Sequence, residues 1–247
     1  MKRELVLRAV MSLALLIVGG VCTSQVNASV VIAGTRVVYN SKEREVTIKL
    51  TNDGALPALV QVWLDKGDAK ASPAEIVVPF TIAPPVARIE PGKGQTLRIF
   101  YTNEPLPQDK ESVFWLNVLE IPPEGGAQFN KLQLAFRSRI KFFYRPSGLK
   151  GTAQEAPTEI EWKMLRDGKK VELRNPTPYF VSLASFEIEG GAKASTFDEG
   201  GMVGPGEAKE FSLSSQVSPA TGLKVRYHAI NDFGGAIDGE ASLHMTP

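Results

Sequence analysis

Residues 132–146, LQLAFRSRIKFFYRP, constrain the fold more than any other stretch. Leu132, Leu134, Phe136, Ile140 and Phe142 fall on one side of a two-residue period, and Gln133, Arg137, Arg139 and Lys141 fall on the other. That is the pattern of a β-strand with two unlike faces. At about 3.3 Å per residue, Leu132 to Tyr144 would span roughly 40 Å, whereas an ordinary strand has about 5–6 residues. Such a strand either crosses most of a sandwich or leaves part of its length without a partner in the chain. An open edge carrying Leu132, Leu134 and Phe136 is an aggregation template unless another protein sits on it. Alternation alone does not separate a strand covered by its own sandwich from one covered by a partner.

The remaining signals are also those of β-structure. Val46, Ile48 and Leu50 alternate with polar residues up to a turn at Asn52-Asp53-Gly54, and Val60, Val62 and Leu64 repeat the pattern. The prolines of Pro79-Phe80-Thr81-Ile82-Ala83-Pro84-Pro85 exclude a central strand and point to an edge or a loop. Residues 113–121, VFWLNVLEI, are apolar on both faces apart from Asn117 and Glu120, which suits a central strand with Trp115 in the packing. Ile160, Trp162 and Met164 lead through Asp167-Gly168 into Val171 and Leu173, which reads as a hairpin, and Leu223, Val225 and Tyr227 alternate again near the end. The expected fold is all-β with a sandwich in each half, and Pro146-Ser147-Gly148 is the expected junction.

The first 28 residues read as an export signal. Lys2, Arg3 and Arg8 precede the apolar run 9–21, which is shorter than the roughly 20 residues of a membrane span, and Val26-Asn27-Ala28 supplies small residues for cleavage after Ala28. The expected division is therefore 1–28 signal, 29–147 first domain and 148–247 second domain. The one cysteine, Cys22, lies inside the signal, so the exported chain folds without a disulfide. Removing Lys2, Arg3, Arg8 and Glu4 from 28 basic and 27 acidic residues leaves a formal balance of −1, which gives no reason to expect a nucleic-acid partner.

Catalytic signals are missing. There are two histidines, His228 on the polar face of a strand and His244 near the end, and no His or carboxylate pair has metal-ligand spacing. Gly92-Lys93-Gly94 lacks the upstream glycine and the following Ser or Thr of a phosphate loop. Neither enzyme, cofactor nor metal is expected. The basic residues Arg36, Arg137, Arg139, Lys141 and Arg145 read either as the polar face of a strand or as a pocket for a small anion such as a carboxylate. A second class of function, an adhesion or carbohydrate-binding module, would use Trp63, Trp115 or Trp162 as a sugar platform.

Several ordered motifs resemble the periplasmic pilus chaperones of the chaperone-usher pathway, the PapD-like family. They are Thr35-Arg36, Ile89-Glu90-Pro91-Gly92, Glu111 to Asn117 followed by Ile121-Pro122-Pro123, Ile140 to Pro146, Asn175-Pro176-Thr177-Pro178-Tyr179, and Ile230 to Gly235. The resemblance covers essentially all of residues 29–247. It implies two immunoglobulin-like sandwiches set at an angle with a cleft between them, and a non-enzymatic chaperone that lends a strand to incomplete pilin subunits and passes them to an outer-membrane usher.

Carried over residue by residue, it implies that Leu132, Leu134 and Phe136 are the donated side chains. Arg36 and Lys141 would anchor the subunit's C-terminal carboxylate, Val30 and Ile32 a second subunit-binding edge, and Glu111, Arg145 and Asp232 an interdomain charge network. Pro84 and Pro85 would fall in a region that touches the usher. The expected location is the periplasm, with no membrane insertion after cleavage, and self-association of the free form through its open edge stays open. The short loop between Pro123 and Leu132 resembles the subclass serving rod-like pili.

Overall fold

The computed structural model describes residues 29–123, 134–189, 194–218 and 222–245. The export signal, its cleavage position, Cys22 and Leu132 therefore lie outside the described residues. Seventeen strands, β1 to β17, and one 3-10 turn at Ala156–Glu159 account for the regular structure described. No helix among the described residues is long and apolar enough to cross a membrane.

The first half forms two facing sheets. One has the order β1-β3-β7-β5, built from Val30–Ile32, Val46–Asn52, Gly94–Tyr101 and Phe80–Ala83. The other has the order β2-β9-β8-β4-β6, from Arg36–Asn40, Phe136–Arg145, Ser112–Ile121, Ala58–Asp65 and Val86–Ile89. Period-2 side chains fill the space between them: Ile48, Leu50, Val60, Val62, Leu64, Leu97, Ile99, Leu116 and Phe142 are all buried. Each contributes about 1.5–3 kcal/mol of apolar burial. The Pro-flanked β5 and β6 lie at sheet edges, where a missing N–H interrupts no ladder. The Asn52-Asp53-Gly54 turn forms as its residues dictate, with the Gly54 N–H donating 2.9 Å to Asn52 Oδ1.

The chain enters this sandwich by changing sheets. β1 pairs antiparallel with β3 in one sheet, and three residues later β2 runs parallel to β9 in the other. Gly34, at φ 139°, supplies the backbone conformation that this crossing requires.

The second half places β10 (Glu161–Met164), β11 (Lys170–Arg174) and β15 (Ala208–Ser212) in one layer. The other layer holds β12 (Val181–Glu189), β13 (Ser195–Phe197), β14 (Gly201–Val203) and β16 (Lys224–Ile230). The last strand, β17 (Ala236–Met245), joins the layers: residues 236–242 pair with β16 and residues 243–245 run parallel to β10. Its core centres on Trp162, which is 1% exposed and stacks on Tyr227 with ring centroids 5.7 Å apart. Tyr144 belongs to the first core and Leu149 packs on the second, so the chain passes between cores over residues 145–148.

Two expectations need correction. Among the described residues the long strand begins at Phe136, and Leu134 precedes it without strand pairing. Trp115 lies on the outer face, not in the core, because the inward positions of β8 are taken by Phe114, Leu116 and Val118.

Candidate functional site

The strand β9 is covered on one side for all but its last residue and on the other for half of its length. β8 pairs with it from Phe136 to Tyr144, whereas β2 pairs with it only from Lys141 to Arg145. Residues 136–140 therefore present one unpaired backbone edge among the described residues. The inward face of β9 loses its cover in the same direction. Phe142 is fully buried, Ile140 partly so, Phe136 is 52% exposed and Leu134 is 54% exposed. β1, which continues directly into β2, is itself a sheet edge, so its free side and the open segment of β9 border the same side of the sandwich. Val30 turns its side chain into the core, Ile32 packs partly against it, and Val31 faces out. Glu120 on β8 reaches across to accept hydrogen bonds from the Ser29 hydroxyl and, at 3.1 Å, from the Val30 N–H.

The structure sorts the five basic residues into two groups. Arg137 and Arg139 are tied to the outer face: Arg139 donates to both oxygens of Asp65, at 2.5 and 3.0 Å, and Arg137 to Asn117 Oδ1 at 2.8 and 3.0 Å. Arg145 donates to Glu111 Oε1 at 2.6 Å and to both oxygens of Asp232, at 2.7 and 2.9 Å. Arg36 and Lys141 make no ion pair among the described residues. Arg36 Nη1 donates to the Ile230 carbonyl at 3.0 Å, and Lys141 Nζ to the Ser182 hydroxyl at 2.9 Å. Arg36 Nε is buried with no hydrogen-bond partner. Two cations opposite each other in register, with spare donors and no ion-paired acid among the described residues, are suited to clamping a carboxylate. Burial, then the adjacent Arg36 and the more distant Lys209, push the Lys141 ammonium down to about 8. Burial also lowers Arg36, against the pull of Asp232.

This pair stands where the two halves meet. Arg36 and Lys141 come from the first sandwich, and Ile230 and Ser182 from the second. Glu111, Arg145 and Asp232 are brought together across the same junction. Glu111 also accepts from the Phe180 N–H at 2.8 Å, and its own N–H donates to the Pro178 carbonyl at 2.9 Å. Asn175 explains the Asn-Pro-Thr-Pro-Tyr motif. Its side chain bonds the Tyr179 carbonyl at 2.7 Å and the Thr177 N–H at 3.0 Å, which fixes the loop that Glu111 grips. Burial pushes the Glu111 carboxyl above the usual range, opposed by Arg145 and the Phe180 N–H. Arg145 is held above its ordinary value: burial works against it, and Asp232 and Glu111 outweigh that.

Pro84 and Pro85 link β5 to β6, at the edge of the sheet opposite β2 and β9, so the fold does not bring them to the Arg36–Lys141 pair. Trp162 is core, and Trp63 and Trp115 are overlaid by the guanidinium groups of Arg137 and Arg139 at 4.8 and 4.2 Å. The sugar-platform expectation loses its open aromatic faces.

Two family descriptions match consecutive parts of the chain. "Pili and flagellar-assembly chaperone, PapD N-terminal domain" matches residues 29–150, and "Pili assembly chaperone PapD, C-terminal domain" matches residues 155–241. The chain belongs to the PapD family of pilus-assembly chaperones. Members of this family are non-catalytic, and its fimbrial chaperones are periplasmic. The probable fimbrial chaperone YadV of Escherichia coli K12 is 48% identical over 223 residues, covering 87% of this chain and 90% of the relative. The chaperone protein FimB/FhaD of Bordetella pertussis is 47% identical over 224 residues, covering 87% and 88%. Among solved structures, the YadV chaperone superposes with a TM-score of 0.76 at 45% identity, covering 87% of this chain and all of that one. A chain from the Salmonella enterica SafA pilin–SafB chaperone complex gives 0.70 at 30% identity, covering 87% and 96%. PapD-family membership agrees with two β-sandwiches joined at a charged seam.

Sequence reasoning missed Ser182, the Ile230 carbonyl, Asp65, Asn117 and Glu120 as parts of this surface. Ser182 touches the site only through folding of the second domain and nothing local to it marks it, and Ile230 contributes its backbone carbonyl, which no side-chain pattern reveals. Asn117 and Glu120 were the legible signals, two polar residues inside an otherwise apolar central strand.

Proposed function

We propose that this chain is a periplasmic chaperone that lends the open edge of β9 to an incomplete pilin subunit. The observation that carries the reading is the half-covered strand: an edge at residues 136–140 left open on the β2 side ends where β2 begins, at two cations that form no ion pair among the described residues. A subunit strand laid along that edge would gain ladder hydrogen bonds, and its C-terminal carboxylate would meet Arg36 and Lys141. Because a one-residue slip turns every side chain to the other face, a fixed carboxylate anchor sets the register. Leu134 and Phe136, about half exposed in the free protein, would enter the subunit's groove; removing the rest of their apolar surface from water contributes on the order of 1–2 kcal/mol each. Leu132 would extend the donated row, and β1 around Val30 and Ile32 would offer the second edge.

On this reading residues 1–28 are removed on export, residues 29–147 form the subunit-binding domain and residues 148–247 the second domain. Glu111, Arg145 and Asp232 hold the two at their working angle. The region around Pro84 and Pro85 would meet the usher that receives the subunit. The SafA pilin complex with SafB supports a pilin partner by similarity.

The test is a tagged pull-down from the periplasm of the native host, with Arg36→Ala and Lys141→Ala run alongside. Recovery of a small partner by the wild type alone supports the reading. Equal recovery by all three removes the carboxylate anchor, and recovery of only a second copy of this chain assigns the edge to self-association.

A further inference from the structure

Residues 136–140 have a single strand neighbour, and an edge held from one side is the part of a sheet most prone to fray or slip. The outward side chains of this segment are Arg137 and Arg139, and although both keep some contact with solvent, each is tied to protein partners. Arg139 stands opposite Asn117 in the ladder and reaches past it to Asp65 on β4, two strands away. Asp65 is 1% exposed and also accepts from Asn117 Nδ2 at 2.8 Å and from the Gly67 N–H at 2.7 Å. Arg137 stands opposite Leu119, bonds diagonally to Asn117 Oδ1, and sends its third nitrogen to the Ala69 carbonyl at 2.6 Å. Each guanidinium also lies over an indole, Arg137 on Trp63 and Arg139 on Trp115. The open segment is thus clamped through its outward side chains to β8, its one neighbour, and to β4 beyond it.

A buried ion pair of this kind adds little stability over an apolar replacement, and its best-attested use is to fix register. Here the register decides the function proposed above, on which this inference rests. A slip of one residue would bury Arg137 and Arg139 and turn Leu134 and Phe136 outward. The same contacts occupy the donors of the two arginines nearest the open edge, which leaves Arg36 and Lys141 as the pair able to take a carboxylate. We propose that Asp65 and Asn117 are positioning residues that lock the open half of β9 in its strand-lending register and keep Arg137 and Arg139 from competing for the subunit's C-terminus.

The experiment is hydrogen exchange on the free full chain, comparing the wild type with the isosteric Asp65→Asn and with Arg137→Gln, followed by capture from periplasmic extract of the native host. We expect exchange in residues 136–140 to rise about tenfold in Asp65→Asn and less in Arg137→Gln. Residues 142–145 and β16 should be unchanged, and capture should fall in the same order. Unchanged exchange and capture in both variants would overturn the proposal alone. So would acceleration spread over the whole chain with a lowered unfolding midpoint, since the cluster would then be ordinary structural support; should Asp65→Asn not fold, Arg137→Gln carries both comparisons. Failure of the wild type to capture any subunit would overturn the strand-lending reading, and this inference with it.

Discussion

Arg36 and Lys141 are register partners across the parallel pairing of β2 with β9, and Ile140, the last residue of β9 left open on the β2 side, immediately precedes Lys141. Two like charges are thus held together at the end of an open strand edge, each bonded to a neutral group of the other domain. Their mutual repulsion is a cost in the free protein that an incoming anion removes.

This makes the anchor pH-sensitive in a defined sense. With Lys141 at about 8 in the folded chain and an ordinary lysine in the unfolded one, the unfolded state binds more protons between those values. Stability therefore rises with pH over that window. Carboxylate binding needs the ammonium form and falls over the same window. Unfolding midpoints and subunit capture measured at pH 7 and pH 9 should move in opposite directions, and Lys141→Ala should abolish both trends without lowering the midpoint at pH 7.

The charge seam should behave differently. Arg145→Ala leaves Glu111, 4% exposed, buried beside Asp232 without a cation. Removing one partner of a buried pair costs about 3–5 kcal/mol. Denaturant unfolding should show a loss of that order, in contrast to Lys141→Ala.

Apolar residues just before β9 and within β8 separate in the same way. Leu134→Asp, at a position 54% exposed, should leave the midpoint within about 0.5 kcal/mol of wild type and weaken capture. Leu116→Ala, at a fully buried position, should cost roughly 2–5 kcal/mol. A large stability loss for Leu134→Asp would assign that residue to the chaperone's own core.

Much of this arrangement is legible in the chain. The alternation of Phe136 to Phe142, the Asn52-Asp53-Gly54 turn and the Asp167-Gly168 hairpin are local, so period and turn chemistry suffice to read them. The outward placement of Trp115 is not, because VFWLNVLEI is apolar on both faces and only the pairing of β8 with β4 and β9 decides which residues meet the core. The pairing of Arg139 with Asp65 spans 74 positions and crosses an intervening strand, beyond any local pattern. Composition could count five basic residues around the site but could not show that three have carboxylate or amide partners while Arg36 and Lys141 form no ion pair among the described residues.

The most direct test is hydrogen exchange on the complex recovered from the periplasm, compared with the free chain. Strand lending predicts new protection concentrated at residues 134–140 and around β1, with the far edge at Val86–Ile89 unchanged. Protection confined to that far edge or to the second domain, with residues 134–140 exchanging as in the free protein, would contradict the account.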